Sequence, residues 1–393
     1  IVFLGASAAV FGRWVEEGGP RRAMFTAALC WGIGFLISAV GVYIHNIWVV
    51  YFGYGVVGGC GLGIGYISPV STLIKWFPDR PGMATGMAIM GFGGGAFIAS
   101  PLSVWLMSQF SSPTHVGVAE TFIVLGVVYF IFMMVGAFIV RLPAPGWKPE
   151  GYAPPVVEQK LITRNDVYVY DAIRTPQFWL IWWVLCLNVT AGIGVLGQAS
   201  AMSQEMFPGK ITAVAAAGFV GLMSLFNMGG RFFWASTSDY IGRKNTYFVF
   251  MVLGFFLYCT VPYTGSIGSV VGFVCAFLVI ISMYGGGFAT VPAYLRDMFG
   301  TRYVGAIHGL LLTAWSAAGI FGPVLVNYIR QYNIDHGVPK AQAYNVTMYI
   351  MAGLLVVGFF CNLLVKAVDK RYHMSPDHEA LREPGGVGAT AKA

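Results

Sequence analysis

One arginine, Arg231, interrupts a long apolar run, and Asp239 follows it eight residues later. On a helix that spacing places Arg231 about 12 Å deeper than the acid. An arginine at such depth costs about 2.5–3.5 kcal/mol on insertion scales. It either lines a substrate path or sends its head back to the helix end as a snorkelling side chain. Its planar fork of donors matches a carboxylate in bidentate fashion. Two charged turns also carry chemistry: Gly12-Arg13-Trp14-Val15-Glu16-Glu17-Gly18-Gly19-Pro20-Arg21-Arg22 and Asp239-Tyr240-Ile241-Gly242-Arg243-Lys244. A tight glycine turn lets the carboxylate approach the end of a neighbouring helix while the cations stay in water. Such a latch can hold one conformation and release in another. Gly12, Glu16, Gly19 and Arg21 form the first candidate latch, and Asp239, Gly242, Arg243 and Lys244 the second, with Ala235 replacing the opening glycine there. A charged turn placed only by topology is the alternative. His308 is a candidate proton site or a histidine packed at a helix interface. Gln198 is a weaker polar candidate in an apolar stretch.

Several chemistries are excluded. All sixteen acids fall in loops, tails or helix ends, so proton symport through a membrane carboxylate has no candidate in the chain. No His-x-x-His, Glu-x-x-His or Ser/His/Asp arrangement supports a membrane-embedded enzyme. The six cysteines show no metal-ligand or pairing pattern and read as small core residues. No metal or cofactor is expected. The runs Gly91-Phe92-Gly93-Gly94-Gly95 and Gly285-Gly286-Gly287 have no preceding strand and no following Gly-Lys-Ser/Thr, so they are not nucleotide loops. They suit helices that approach closely and slide, as do Gly53, Gly55, Gly59 and Gly63, with Pro69 as a kink.

The elements that must position these residues are membrane helices. Of 393 residues, 57% are hydrophobic and 10% charged, against about 25% charged in soluble domains. Apolar runs near 23–45, 47–73, 83–108, 120–140, 177–203, 211–234, 246–265, 267–295, 305–329 and 344–366 give ten full spans. A stub, Ile1 to Phe11, precedes them and reads as the remainder of a truncated helix, not as a signal peptide. The formal charge of +7 is a topology signal and no phosphate-binding face: twenty of the 23 Lys and Arg residues fall on one side, against Lys210, Arg330 and Lys340 on the other. The richer side, with the C-terminus, is expected in the cytoplasm.

Sliding the chain against itself by 223 residues superposes Glu16 on Asp239, Gly19 on Gly242, Arg21 on Lys244, Gly63 on Gly286, Pro69 on Pro292, Gly82 on Gly305 and Gly86 on Gly309. Both repeats face the same way, which is the arrangement of two parallel halves about an axis along the membrane normal. The offset implies roughly 47 residues upstream of Ile1 and twelve helices in all. The expected organisation is a truncated helix bundle at 1–141, a proline-rich cytoplasmic linker at 142–175, a second bundle at 176–366 and a disordered cytoplasmic tail at 367–393.

The latch turns resemble the major-facilitator signature. Lys75-Trp76-Phe77-Pro78-Asp79-Arg80-Pro81-Gly82-Met83-Ala84-Thr85-Gly86, Arg174-Thr175-Pro176-Gln177-Phe178-Trp179, Phe226-Asn227-Met228-Gly229-Gly230-Arg231-Phe232-Phe233-Trp234 and Asp297-Met298-Phe299-Gly300-Thr301 resemble the oxalate–formate antiporter family from the first loop through the last helix. That resemblance implies a major-facilitator fold of two parallel six-helix halves in an all-α membrane protein. It also implies a plasma-membrane (bacterial inner-membrane) carrier of small carboxylates with Arg231 at the substrate-binding arginine. Trp315 falls where the oxalate branch places a second cation. One buried cation balances one carboxylate, so a monocarboxylate such as formate, lactate or pyruvate is expected over oxalate. Asn227 stands where monocarboxylate transporters place an aspartate. Tyr66, Phe92, Tyr284 and Phe288 match cavity-lining aromatics, with Phe92 and Phe288 replacing tyrosines; lipid contact or core packing is the alternative for each. A carrier whose unpaired cation crosses only when neutralised exchanges one anion for another, with proton-coupled symport as the alternative. The expected partners are a small organic anion and the lipid bilayer, not nucleic acid, for a chain acting as a monomer.

Overall fold

The computed structural model describes residues 1–144, 147–152, 161–163 and 165–374, and among these no strand forms. Thirteen helices carry the architecture: α1 Val2–Gly18, α2 Pro20–Tyr43, α3 Ile47–Trp76, α4 Pro81–Phe110, α5 Val118–Ile139, α6 Pro176–Leu196, α7 Ala199–Met206, α8 Ala213–Ile241, α9 Arg243–Ser266, α10 Val270–Phe299, α11 Val304–Leu311, α12 Thr313–Asp335 and α13 Asn345–Leu364. Among the described residues ten segments are long and apolar enough to cross a membrane, counting α11 and α12 as one.

Local chemistry sets the helix ends. Pro20, Pro81 and Pro176 each sit at a first helical position, where their missing N–H is not needed. Thr175 caps α6 by accepting from Phe178 N, and Thr212 caps α8 by accepting from Ala215 N. Gly19 and Gly242, equivalent in the repeat, adopt φ of 78° and 87° and turn the chain between successive helices. The stub of the sequence reading extends through the charged residues to Gly18, because Arg13 and Glu17 pair one turn apart along it. Within α3, Tyr51–Gly58 is a π-helical stretch. There Gly53 lies so close to Gly34 and Ser38 of α2 that a Cβ would collide with backbone.

Three expectations are corrected. The run at 177–203 divides at Gly197, so Gln198 lies outside the span and bonds Asn327 Oδ1 at 2.7 Å. The run at 305–329 is one span, Val304–Asp335, with a local break at Leu312 that separates α11 from α12. Only Cys186 among the cysteines is buried, and Cys275 is exposed. The chain just beyond 367 is ordered: Val167 bridges His373, and Met374 N donates to Asp166 O at 2.9 Å. The remainder of the expected tail, 375–393, and the linker prolines Pro145, Pro154 and Pro155 lie outside the described residues.

At the face opposite the latch turns, Glu205 of α7 accepts from Arg330 Nε and Tyr344 Oη, each at 2.9 Å. Burial alone pushes its carboxyl up, but the bonds from Arg330 and Tyr344 outweigh that and hold it below its ordinary value. A carboxyl depressed in the folded state stabilises above its unfolded pKa and loses that contribution as pH falls through the folded one. Glu205→Gln is therefore expected to lower stability in detergent by about 1–3 kcal/mol at neutral pH. The gap between the two proteins should narrow as pH falls through the depressed folded-state pKa of Glu205; an undiminished gap in acid would contradict the assignment.

Candidate functional site

The two halves meet through pairs of glycine-assisted contacts related by the repeat. Gly86 of α4 lies against Arg231 and Ala235 of α8, while its equivalent Gly309 of α11 lies against Ala8 and Gly12 of α1. A Cβ at Gly82 would fall 2.2 Å from Ala235 O, and one at Gly309 2.2 Å from Ala8 O. The backbones thus approach as only glycine permits.

Both candidate latches close at one face, and they do so reciprocally. Asp239 of the second half accepts from Gly82 N at 2.9 Å and Met83 N at 2.8 Å, at the N-terminus of α4 in the first half. Glu16 of the first half accepts from Gly305 N at 3.1 Å, at the N-terminus of α11 in the second. Each acid caps a helix of the other bundle, where unpaired N–H groups and the helix dipole favour a negative charge. Lys75 pairs with Glu16. Gly12 packs against Ala306. Arg21 donates to Phe138 O at 2.7 Å, and Lys244 to Leu363 O and Val365 O. Arg243 departs from the expectation of a cation in water. It is buried, bonded to Asp239 and Ser238, and its Nε lies 3.2 Å from Asp297 Oδ2. Arg296 extends this network to Asp297 and across to Pro78 O, 3.2 Å each. Asp297 and Arg296 were not singled out as latch residues in the sequence, although both stand in the Arg-Asp-Met-Phe-Gly stretch at the end of α10.

Arg231 does not reach the surface; it is 1% exposed. Its stem fits beside Gly93 and Gly285, where a Cβ would lie 2.9 Å from Nε and 3.1 Å from Cγ. Its partners among the described residues are neutral: Nε donates to Asn227 Oδ1 at 3.1 Å, and Nη1 approaches Ile89 O at 3.5 Å. Phe92 and Phe288 flank the guanidinium, with ring centroids 5.3 Å and 5.5 Å from Cζ. Their π-faces offset part of the lost hydration, by roughly 0.5–2 kcal/mol each. The structure therefore brings Arg231, Asn227, Phe92 and Phe288 together directly.

A wall of rings completes the surroundings. Trp315 packs at tilted or edge-on angles against Phe288 at 4.5 Å, Phe92 at 5.5 Å and Tyr66 at 5.6 Å, and Tyr284 meets Phe288 edge-on at 5.2 Å. Tyr66 also meets His308 at 5.9 Å. Phe92 is 42% exposed on its remaining side, between Gly91 and Gly93. The Tyr66 hydroxyl, Trp315 Nε1 and both ring nitrogens of His308 are buried without a hydrogen-bond partner. Buried polar groups are normally paired, and these stand close to a buried cation. Among the described residues no cluster of three His, Cys, Asp or Glu side chains is placed to hold a metal ion.

Comparison with known proteins was consistent in kind. A family model described as Major Facilitator Superfamily matches residues 1–323. The oxalate:formate antiporter of Oxalobacter formigenes is 29% identical over 313 residues, covering 79% of this chain and 69% of that protein. Apicoplast pyruvate carrier 1 of Toxoplasma gondii is 22% identical, covering 90% of this chain and 72% of the relative. Among solved structures, the fucose:proton symporter of E. coli superposes with a TM-score of 0.66 at 12% identity, covering 93% of this chain and 89% of that one.

Proposed function

The chain belongs to the Major Facilitator Superfamily, and we propose that it carries a small monocarboxylate across the membrane by alternating access, exchanging one anion for another. That it is a multi-pass membrane transporter follows from the family. The substrate and the mode of coupling are our reading of the site. The observation that carries it is Arg231, a fully buried cation whose partners among the described residues are all neutral.

A guanidinium held this way is an incomplete ion pair. Removing a charge from water is costly unless a counter-charge accompanies it. A single carboxylate supplies that charge and can accept two parallel N–H bonds from the fork. A dianion would leave its second charge facing Trp315 and the phenyl rings with no cation to meet it. The relatives named for oxalate, formate and pyruvate support the carboxylate class. Closed latches at one face support an arrangement in which the substrate path leads to the opposite side, with release of Glu16 and Asp239 opening the other. By the charge bias, the latch face is the cytoplasmic side of a plasma membrane.

Exchange follows from the same electrostatics: the empty site holds one bare charge that resists reorientation, and the occupied site holds none. In proteoliposomes, uptake of labelled monocarboxylate is expected to rise at least about tenfold when the lumen contains unlabelled monocarboxylate, the equivalent of about 1.4 kcal/mol. Uptake that ignores the internal anion and follows an imposed proton gradient would replace exchange with proton symport.

A further inference from the structure

Beside Arg231 lies a set of uncharged polar groups, of which Tyr66 also faces the guanidinium. Tyr66 of α3, His308 of α11 and Trp315 of α12 come from both halves of the chain, yet they form one row. Tyr66 stands in the middle, with its ring 5.9 Å from His308 and 5.6 Å from Trp315. All three are buried: His308 is 0% and Trp315 2% exposed. No hydrogen bond of good geometry reaches the Tyr66 hydroxyl, Trp315 Nε1 or either His308 nitrogen, although Tyr66 faces Arg231 and Trp315 faces Tyr284. The row adjoins the carboxylate site, because Phe92 contacts both Tyr66 (5.8 Å) and Trp315 (5.5 Å) and lies against the guanidinium.

The repeat sharpens this observation. At the offset of 223 residues, His308 corresponds to Thr85, Tyr66 to Ala289 and Trp315 to Phe92. In the first pairing the structure solves the packing problem simply. The Thr85 hydroxyl, fully buried, donates to Ala289 O at 2.6 Å. At the equivalent contact an imidazole meets a phenol, and neither group is satisfied. If helix packing alone had to be served, the threonine–carbonyl solution used in the other half would suffice. Three unsatisfied groups are retained where one satisfied group closes the equivalent interface.

We propose that Tyr66, His308 and Trp315 form a second subsite that binds a neutral oxygen substituent of the substrate, selecting 2-oxo and 2-hydroxy monocarboxylates over unsubstituted acids. This rests on the reading of Arg231 as the carboxylate site. Trp315 Nε1 can only donate; the Tyr66 hydroxyl donates or accepts; neutral His308 presents one donor and one acceptor. A 2-oxo group accepts from this set, and a 2-hydroxyl both accepts and donates. A second carboxylate is rejected because the row contributes no lysine or arginine. Formate has no atom that extends from the guanidinium towards His308, so it leaves the row unsatisfied. A site built to bond an oxygen discriminates against the analogue lacking it because its own buried groups are then left unpaired.

Propionate, lactate and pyruvate form the test, because they share a three-carbon carboxylate skeleton and differ only at the second carbon. With wild-type protein in proteoliposomes, lactate or pyruvate is expected to compete for uptake at concentrations about tenfold or more below propionate. Tyr66→Phe and Trp315→Phe, which keep the rings and remove the O–H and N–H, should shrink that preference about tenfold. Propionate competing as well as lactate and pyruvate in the wild type would overturn the second subsite and leave the carboxylate site standing. Failure of all three acids to compete would instead overturn the carboxylate reading. A wild-type preference unchanged in both phenylalanine variants would remove these side chains from the role.

Discussion

Replacing Arg231 with methionine is expected to abolish carboxylate transport while making the empty protein more stable. Function and stability oppose one another here because the buried guanidinium has no counter-charge among the described residues. Its compensation comes from Asn227, the Ile89 carbonyl and two phenyl faces. An apolar side chain of similar length removes the desolvation cost and keeps the packing against Gly93 and Gly285. Buried ion pairs replaced by hydrophobic groups gain about 1–4 kcal/mol, and an unpaired ion has less to lose. The cation–π contacts, roughly 0.5–2 kcal/mol each, offset part of the gain. Uptake should fall by about a hundredfold or more, since two charge-assisted bonds of about 1.5–3 kcal/mol each are lost. Arg231→Lys keeps the charge but loses the planar fork, and should lie between wild type and the methionine variant. Uptake measured beside melting in detergent checks both halves of the prediction. A methionine variant that transports normally would contradict it, and one that merely unfolds would recast Arg231 as structural.

Asp239→Asn is expected to open the latch face. The asparagine can still accept one backbone N–H, but its amide NH2 now meets the other, and one of the two carboxylates that hold Arg243 loses its charge. Together these changes weaken the closed state by about 2–3 kcal/mol, a shift of roughly 30–150-fold in a two-state population. Ser71, buried in the first half beside Gly305 of the second, reports the change. In a background without the native cysteines, alkylation of Ser71→Cys should accelerate at least about tenfold when Asp239→Asn is added. An unchanged rate would mean that Glu16 and the Arg296–Pro78 contact hold the face closed on their own.

The spans were legible because hydropathy and length are local properties, and the latches because an acid–glycine–basic pattern recurs in the two halves. What the acids do was legible as a type of contact, a carboxylate at a neighbouring helix end. The reciprocal exchange between Glu16–Gly305 and Asp239–Gly82 was present in the offset but needed the bundles side by side to be seen. Arg243 was misjudged as solvated because nothing local indicates that Asp297, 54 residues on, reaches it. The break at Leu312 and the docking of residues 372–374 against the linker depend on tertiary contacts with no periodic signature. Arg231 and its flanking aromatics were located by type and resemblance. The row of Tyr66, His308 and Trp315 was not assembled beforehand, because its members stand far apart in the chain and their lack of partners is visible only in three dimensions.

Calorimetric titration of the purified protein with a small monocarboxylate such as pyruvate tests the central claim most directly. The account predicts saturable binding by wild type, weakened by about tenfold or more in Arg231→Lys and absent in Arg231→Met, with the latter still folded. Equal affinity in wild type and Arg231→Met would contradict it.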